Sequence, residues 1–396
     1  MEYKLLSLSL SLSLSLSLNK AFAQLRATAA RVNGSSLGFL LSYACSYLLH
    51  YKAESKAEEK SKELIRSIKK YVLDDFGSSN HSLNQECNGS QSQVAILLCT
   101  HQGQRFLAEQ LESFKKQTHS NWFLWASDDA SDDDTRKIIF QFQDEIGFKQ
   151  VSIIDGPSAG FCSNFLSLAC NVEIQADFYA YSDQDDYWKS DKLERALKFF
   201  QSIPTSTPAL YCTRTELVDA TGKHIGFSPL FRKPAIFKNA LMQNVGGGNT
   251  MVFNEAARLL LIKAGSSVQV VTHDWWTYQL ISGAGGIVFY DSYPSLFYRQ
   301  HENNLVGMNS TWAARLKRIR MLWQGRFREW NSINIEELKK LDDLLTPENK
   351  KTLEQFEQAR SKPLLLRLME MKKSGIYRQT LFGNLGLIVA IFFKKL

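Results

Sequence analysis

From residue 94 the chain reads VAILLCT, without a charge or a turn former, and apolar runs of that length are typical of a strand covered on both faces. Behind it, over 103–118, Leu107, Leu111 and Phe114 recur at helical spacing. Residues 122–127 read as a second strand, 135–146 as a helix, 151–154 as a third strand and 178–182 as a fourth. Strands alternating with helices fold into βαβ units, so the expected class is α/β, a mostly parallel sheet with helices on both faces. Sheets of this kind bind ligands outside the carboxyl ends of their strands. Chemistry is therefore sought at those ends.

Before residue 92 the texture is different. Residues 6–17 alternate Leu and Ser strictly, 37–51 is an apolar stretch short for a membrane span, 52–70 is a charged helical pattern and 77–92 is a polar linker. Lys4, the Leu-rich tract and Ala21-Phe22-Ala23 imitate a secretory signal, yet serine at every second place weakens the apolar segment. A cytosol-facing chain is the expectation. Six cysteines with no CxxC pair agree with a reducing compartment. Three regions result: an N-terminal extension and linker over 1–91, an α/β domain over 92–310, and a helical region over 311–396.

The formal net charge is +7, and much of the basic excess falls late, at Arg315, Lys317, Arg318, Arg320, Arg326 and Arg328. An anionic surface or ligand is implied there. No nucleic-acid-binding module accompanies the charge, so nucleic acid is not the expected partner. Residues 312–330 interleave these bases with Leu, Ile, Met, Trp and Phe, as in a helix lying on an anionic membrane, or in a surface helix packed on the domain. Residues 381–393 are strongly apolar and close on Lys394 and Lys395, but fall short of the roughly twenty residues a spanning helix needs. Shallow, peripheral attachment is expected.

Two acidic clusters stand at strand ends. In Asp128-Asp129-Ala130-Ser131-Asp132-Asp133-Asp134, the last three acids suit the cap of the following helix. Asp128 and Asp129 lie nearer the strand tip, where a carboxylate can take hydrogen bonds from a base or ribose. The second cluster is YSDQDDYW, at 181–188. Residues two apart share a side of an extended chain, so Asp183 and Asp185 can point together. Such a pair repels itself unless a cation or proton intervenes, and hard oxygen ligands suit Mg²⁺ or Mn²⁺. Magnesium usually takes one or two carboxylates and completes its shell with phosphates and water. The spacing thus fits half of a metal-diphosphate site, against the plain alternative of a solvated acidic turn.

The ordered set VAILLCTHQGQRFLAEQLESFKKQT, WASDDASDD, YSDQDDYW, GGGNTMVFN, THDWW and FYRQH resembles the family 2 glycosyltransferases, especially their bacterial rhamnosyltransferase-like branch. The resemblance implies a GT-A fold, with a Rossmann-like sheet, and inverting transfer of a sugar from a nucleoside diphosphate. It implies that Thr100, His101 and Gln102 flank the nucleotide base, Gln102 departing from the commoner Asn. Asp128 and Asp129 match the nucleoside-binding pair, Asp183 and Asp185 the metal-binding DxD, Asp274 the catalytic base, and His301 a late metal ligand.

Several of these residues have plainer readings. Asp274 can equally cap the helix it opens. Gly246, Gly247 and Gly248, followed by Asn249, can let backbone approach the donor sugar or simply form a tight turn. Trp275 and Trp276 can stack on a sugar or pack in the core. Arg299 can pair with the diphosphate or with a structural carboxylate. The overall expectation is a metal-dependent inverting glycosyltransferase at the inner face of the cell membrane. Its donor on the branch it resembles is dTDP-L-rhamnose, and its acceptor is a glycan or lipid-linked saccharide of a surface polysaccharide. The rivals are a metal-dependent phosphohydrolase acting on nucleotide sugars and a catalytically silent carbohydrate-binding protein.

Overall fold

The VAILLCT run is strand β1 (Val94–Thr100), and every one of its residues is buried. The computed structural model describes residues 92–301, 320, 321 and 323–396. The Leu-Ser tract, the 37–51 stretch, the charged 52–70 pattern and most of the basic segment before residue 320 lie outside the described residues. β1 runs parallel to β2 (Trp122–Asp128) on one side and to β4 (Phe178–Ser182) on the other, and β3 (Val151–Asp155) continues the parallel set beyond β2. Alternate side chains of a strand face opposite ways. Val94, Ile96 and Leu98 pack with residues of α1 (Leu107–Lys115) and α2 (Thr135–Ile146). Ala95, Leu97 and Cys99 pack with residues of α3 (Phe161–Cys170) in a second core. Helical layers on both faces are the reason the run needed no polar alternation.

Past β4 antiparallel strands enter. β8 (Val252–Asn254) lies antiparallel to β4, and β6 (Ala209–Asp219) antiparallel to β8. β9 (Ile287–Gln300) runs parallel to β6, and β5 (Tyr187–Trp188) pairs antiparallel with β9. The path is β3-β2-β1-β4-β8-β6-β9-β5, with β7 (His224–Phe227) attached to β6. The loop from β4 to β5 bridges four strand positions in the sheet, a distance of about 19 Å if the sheet were flat. Through residues 183–186 the chain spans at most about 18 Å over five Cα steps, short of that even at full stretch. The sheet therefore curls, bringing the end of β9 back to the acidic loop.

The helices that follow the sheet residues are α4 (Lys192–Phe200), the short α5 (Phe237–Ala240), α6 (Glu255–Ala264) and α7 (His273–Gly283). The C-terminal region adds α8 (Arg326–Lys340), α9 (Pro347–Ser361), α10 (Leu364–Ser374) and α11 (Leu381–Phe392). α9 is capped by Thr346, whose hydroxyl accepts the Asn349 N–H, with proline in its first turn. Ile335, Leu338, Phe356, Met371 and Leu387 join the same core as Leu280 and Ile281 of α7. The late helices thus share apolar packing with the sheet. Among the described residues no helix is long and apolar enough to cross a membrane.

Candidate active site

The loop after β2 is held mostly by its own acids. Asp128 is buried and accepts hydrogen bonds from Thr100 Oγ1 at 2.8 Å, Ser131 Oγ at 2.6 Å and Ser131 N at 3.1 Å. Asp129 accepts the backbone N–H groups of Ser158 at 2.5 Å and Gly160 at 3.0 Å, fixing the turn before α3. His101 Nδ1 lies 2.8 Å from the Asp129 carbonyl. Gln102, with φ of 52°, donates its Nε2 to Asp132 at 2.5 Å and its N–H to Ser131 Oγ at 2.9 Å. Asp133 accepts the Thr135 N–H at 2.9 Å at the start of α2, whereas Asp134, the residue at the capping position, makes no side-chain cap bond. Thr100, His101, Gln102, Asp128 and Asp129 form one connected rim at the carboxyl ends of β1 and β2.

The acidic loop after β4 joins that rim through Gln184, which accepts the His101 N–H and donates back to the His101 carbonyl, both at 2.8 Å. Asp185 meets His301 at the end of β9, with Oδ2 and Nε2 2.7 Å apart. Asp186 is fully buried and takes a short hydrogen bond from Asn249 Nδ2 and the Arg299 N–H at 3.0 Å. Asp183 accepts no hydrogen bond on its carboxylate among the described residues. Burial, then the charges of Asp185 and Asp274, push it up to about 8. Burial also raises Asp186 well above the carboxylate range, followed by repulsion from Asp185 and Asp183. Three carboxylates thus crowd the loop after β4, and Asp183 feels the charge of Asp274 as well.

Arg299 is 2 % exposed and fully committed. Its Nε donates to the Asp185 carbonyl at 3.0 Å, Nη1 to the Ala220 carbonyl at 3.2 Å and Nη2 to Glu109, while the guanidinium lies 4.6 Å from the Phe106 ring. The structural ion pair weighed for it is present, and it braces the backbone that carries Asp185.

Asp274 sits in the first turn of α7, after the capping position Thr272. Its Oδ2 accepts the Gly248 N–H at 3.2 Å. A Cβ on Gly248 would stand 2.4 Å from His273 Nε2, so absence of a side chain, not an unusual φ, is what the glycine supplies. His273 stacks on Phe165 at 3.9 Å with both ring nitrogens unpartnered, and burial pushes it down to about 4. Asn249 is turned to Asp186, and Trp275 and Trp276 are core residues, Trp275 Nε1 donating to the Ala240 carbonyl at 2.6 Å.

Sequence reasoning missed Lys192. It opens α4, is fully buried, and its Nζ has no hydrogen-bond partner among the described residues, standing 3.5 Å from the centre of the Trp188 ring. Burial lowers it to about 7, and the nearby Asp186 and Asp183 pull it back up. One signal was available: a lysine in the first turn runs against the positive end of the helix dipole. It is a buried amine within electrostatic reach of the acidic loop.

Among the described residues, no three His, Cys, Asp or Glu side chains close into a ready-made metal cage. The donor set still suits a hard cation. Among the described residues Asp183 has no hydrogen-bond partner on its carboxylate, Asp185 and His301 adjoin, and Mg²⁺ or Mn²⁺ sites complete their shells with phosphate and water.

Residues 95–261 match the model of Glycosyl transferase family 2; Asp274 and His301 lie beyond the matched segment. The chain is 28% identical over 239 residues to the dTDP-rhamnosyl transferase RfbG of Shigella flexneri, covering 56% of this chain and 78% of that one. It is 28% identical over 101 residues to the UDP-Glc:alpha-D-GlcNAc-diphosphoundecaprenol beta-1,3-glucosyltransferase WfgD of Escherichia coli, 26% of this chain and 38% of the relative. The solved structure of S. aureus TarS 1–349 in complex with UDP-GlcNAc is a distant likeness, at 14% identity and a TM-score of 0.43 over 72% of this chain and 93% of that one. The matched segment carries β1 to β4 and the acidic rim they build, and over that segment the chain is similar to the family 2 glycosyltransferases.

Proposed function

We propose that this chain is a glycosyltransferase that transfers L-rhamnose from dTDP-rhamnose, with inversion, to a glycan or lipid-linked acceptor in surface polysaccharide synthesis. Residues 92–310 are then the catalytic domain and 311–396 a membrane-associated region, working peripherally at the cytoplasmic face of the cell membrane. The observation that carries the reading is His301 Nε2 2.7 Å from Asp185 in the loop that also holds Asp183, which burial, then the charges of Asp185 and Asp274, raise to about 8. A site so negative favours a bound cation with its diphosphate. The relative named as a dTDP-rhamnosyl transferase, matched over most of its length, supports the donor, and the relative named for a diphosphoundecaprenol acceptor supports a lipid-linked one.

Asp183, Asp185 and His301 would hold the Mg²⁺ or Mn²⁺ ion, and the rim of Thr100, His101, Gln102, Asp128 and Asp129 would shape the nucleoside pocket. When bound, the cation supplies positive charge against the diphosphate leaving group. Asp274 accepts the proton of the attacking acceptor hydroxyl, held in place by the Gly248 and Trp275 N–H groups at 3.2 Å and 2.7 Å. Inversion needs only one displacement, with this base on the acceptor side.

The test is a panel of nucleotide sugars with and without Mn²⁺ or Mg²⁺, read by thermal shift and slow donor hydrolysis. A metal-dependent shift with dTDP-rhamnose above the other donors is expected. A metal-independent response, or equal response to all donors, would reject the metal or the sugar respectively. Asp274→Asn should keep donor binding and lose transfer by roughly 10²- to 10⁴-fold. Unchanged transfer would remove Asp274 as the base.

A further inference from the structure

The last two helices leave apolar surface uncovered. On α11, Leu381, Phe382, Leu385, Ile388, Val389 and Phe392 are exposed, Phe382 at 83% and Leu381 at 73%. Their spacing follows one side of an α-helix, while Leu387, Ala390 and Ile391 enter the core. Leu365, Leu366 and Met369 of α10 are exposed as well. Arg367, in the first turn of α10, donates Nη2 to the Phe392 carbonyl at 3.3 Å. The helices therefore run antiparallel, and the exposed residues of α10 lie beside the Phe392 end of α11. Scattered exposed leucines are ordinary, but nine large apolar residues on two touching helices mark an interaction surface.

Charge decides what covers it. Residues 362–396 hold seven Lys and Arg against one Glu, a net +6 within a chain whose total is +7. Lys372, Lys373 and Lys394 are exposed. A second copy of this face would bring like charges together, whereas anionic lipid headgroups complement them. α11, at 12 residues, is about 18 Å long, against a hydrocarbon core of roughly 30 Å, so it can lie in a bilayer surface but not cross.

We propose that the α10–α11 face docks flat on an anionic phospholipid bilayer, its apolar side chains at the headgroup–acyl boundary and its lysines among the phosphates. This rests on the peripheral membrane reading above and makes it specific. The experiment is flotation of the full chain with vesicles of phosphatidylcholine alone or mixed with phosphatidylglycerol. Wild type should bind the anionic vesicles roughly tenfold or more tightly than the neutral ones, and less tightly in high salt. Phe382→Asp/Leu385→Asp/Ile388→Asp should lose binding by a similar factor or more, with unchanged melting because all three positions are exposed. Lys372→Glu/Lys373→Glu/Lys394→Glu should lose the preference for anionic vesicles. If the aspartate variant floats like wild type, this face is wrong while the membrane reading survives. If wild type binds neither vesicle, both fall, and self-association that the aspartate variant abolishes would assign the face to a second copy instead. Donor hydrolysis measured without vesicles keeps any of these outcomes separate from the sugar-transfer reading.

Discussion

His301 Nε2 and Asp185 Oδ2 lie 2.7 Å apart although 116 residues separate them, because the curl of the sheet returns the end of β9 to the loop between β4 and β5. Both atoms are ones a divalent cation would take.

Asp185→Asn and His301→Ala are accordingly expected to abolish the metal-dependent part of donor turnover. A cation supplies several kcal/mol against leaving-group charge, so the loss should be on the order of a hundredfold or more. Because both side chains are partly exposed, melting temperatures should hardly change. Turnover measured with and without Mn²⁺ gives the answer, and a variant that keeps its metal response would exclude that side chain as a ligand.

Gly248→Ala places a methyl 2.4 Å from His273 Nε2. Overpacking of this kind costs about 1–3 kcal/mol, and it shifts the N–H that holds Asp274. Urea unfolding should show the loss in Gly248→Ala and a much smaller added loss when the same change is made in His273→Ala, where the obstructing ring is gone. Equal losses in the two backgrounds would mean that the contact does not govern the site.

Acid should destabilise the enzyme through His273. Burial holds its folded value near 4, below the ordinary 6.5, so between those values the unfolded chain binds the proton that the folded chain refuses. Stability is intact above about 6.5 and falls as pH drops toward 4, by on the order of 3 kcal/mol at most. Compared with His273→Phe, wild type should lose more stability between pH 7 and pH 4.5. Parallel curves would show that this imidazole is not the group responsible.

Lys192 is buried where Asp186 and Asp183 act on its charge, and among the described residues its amine makes no hydrogen bond. Lys192→Met keeps the volume and removes the unpaired group, so it should stay within about 1 kcal/mol of wild type. Lys192→Glu adds another buried anion beside Asp183 and Asp186 and should cost about 3–5 kcal/mol. Chemical denaturation at neutral pH distinguishes them, and a Glu variant as stable as the Met variant would deny that the acidic loop feels this charge.

Much of the frame was legible because it depends on local order. The apolar run at Val94–Thr100 read as a strand by its length and composition, and the acids at 183 and 185 fell at a strand end by simple counting. The helix expected over 103–118 is regular only over Leu107–Lys115, behind a turn in which the Phe106 N–H reaches the Gly103 carbonyl and the Gly103 N–H goes to Thr135. That bond joins residues 32 apart, beyond the reach of any local pattern. Arg299 and Asn249 were legible as polar residues near the site but not as braces of the acidic loop, because their partners Glu109 and Asp186 are distant in sequence.

By itself the sequence determined the four parallel strands β1 to β4, where acids cluster and that the C-terminus is basic and apolar, since periodicity and charge are properties of neighbouring residues. Tertiary structure alone decided that Lys192 is buried within electrostatic reach of the acids, that Gly248 must lack a side chain beside His273, and that Asp185 meets His301. Those facts depend on the curl of the sheet, which is set by the summed packing of two cores and is written in no single stretch of the chain.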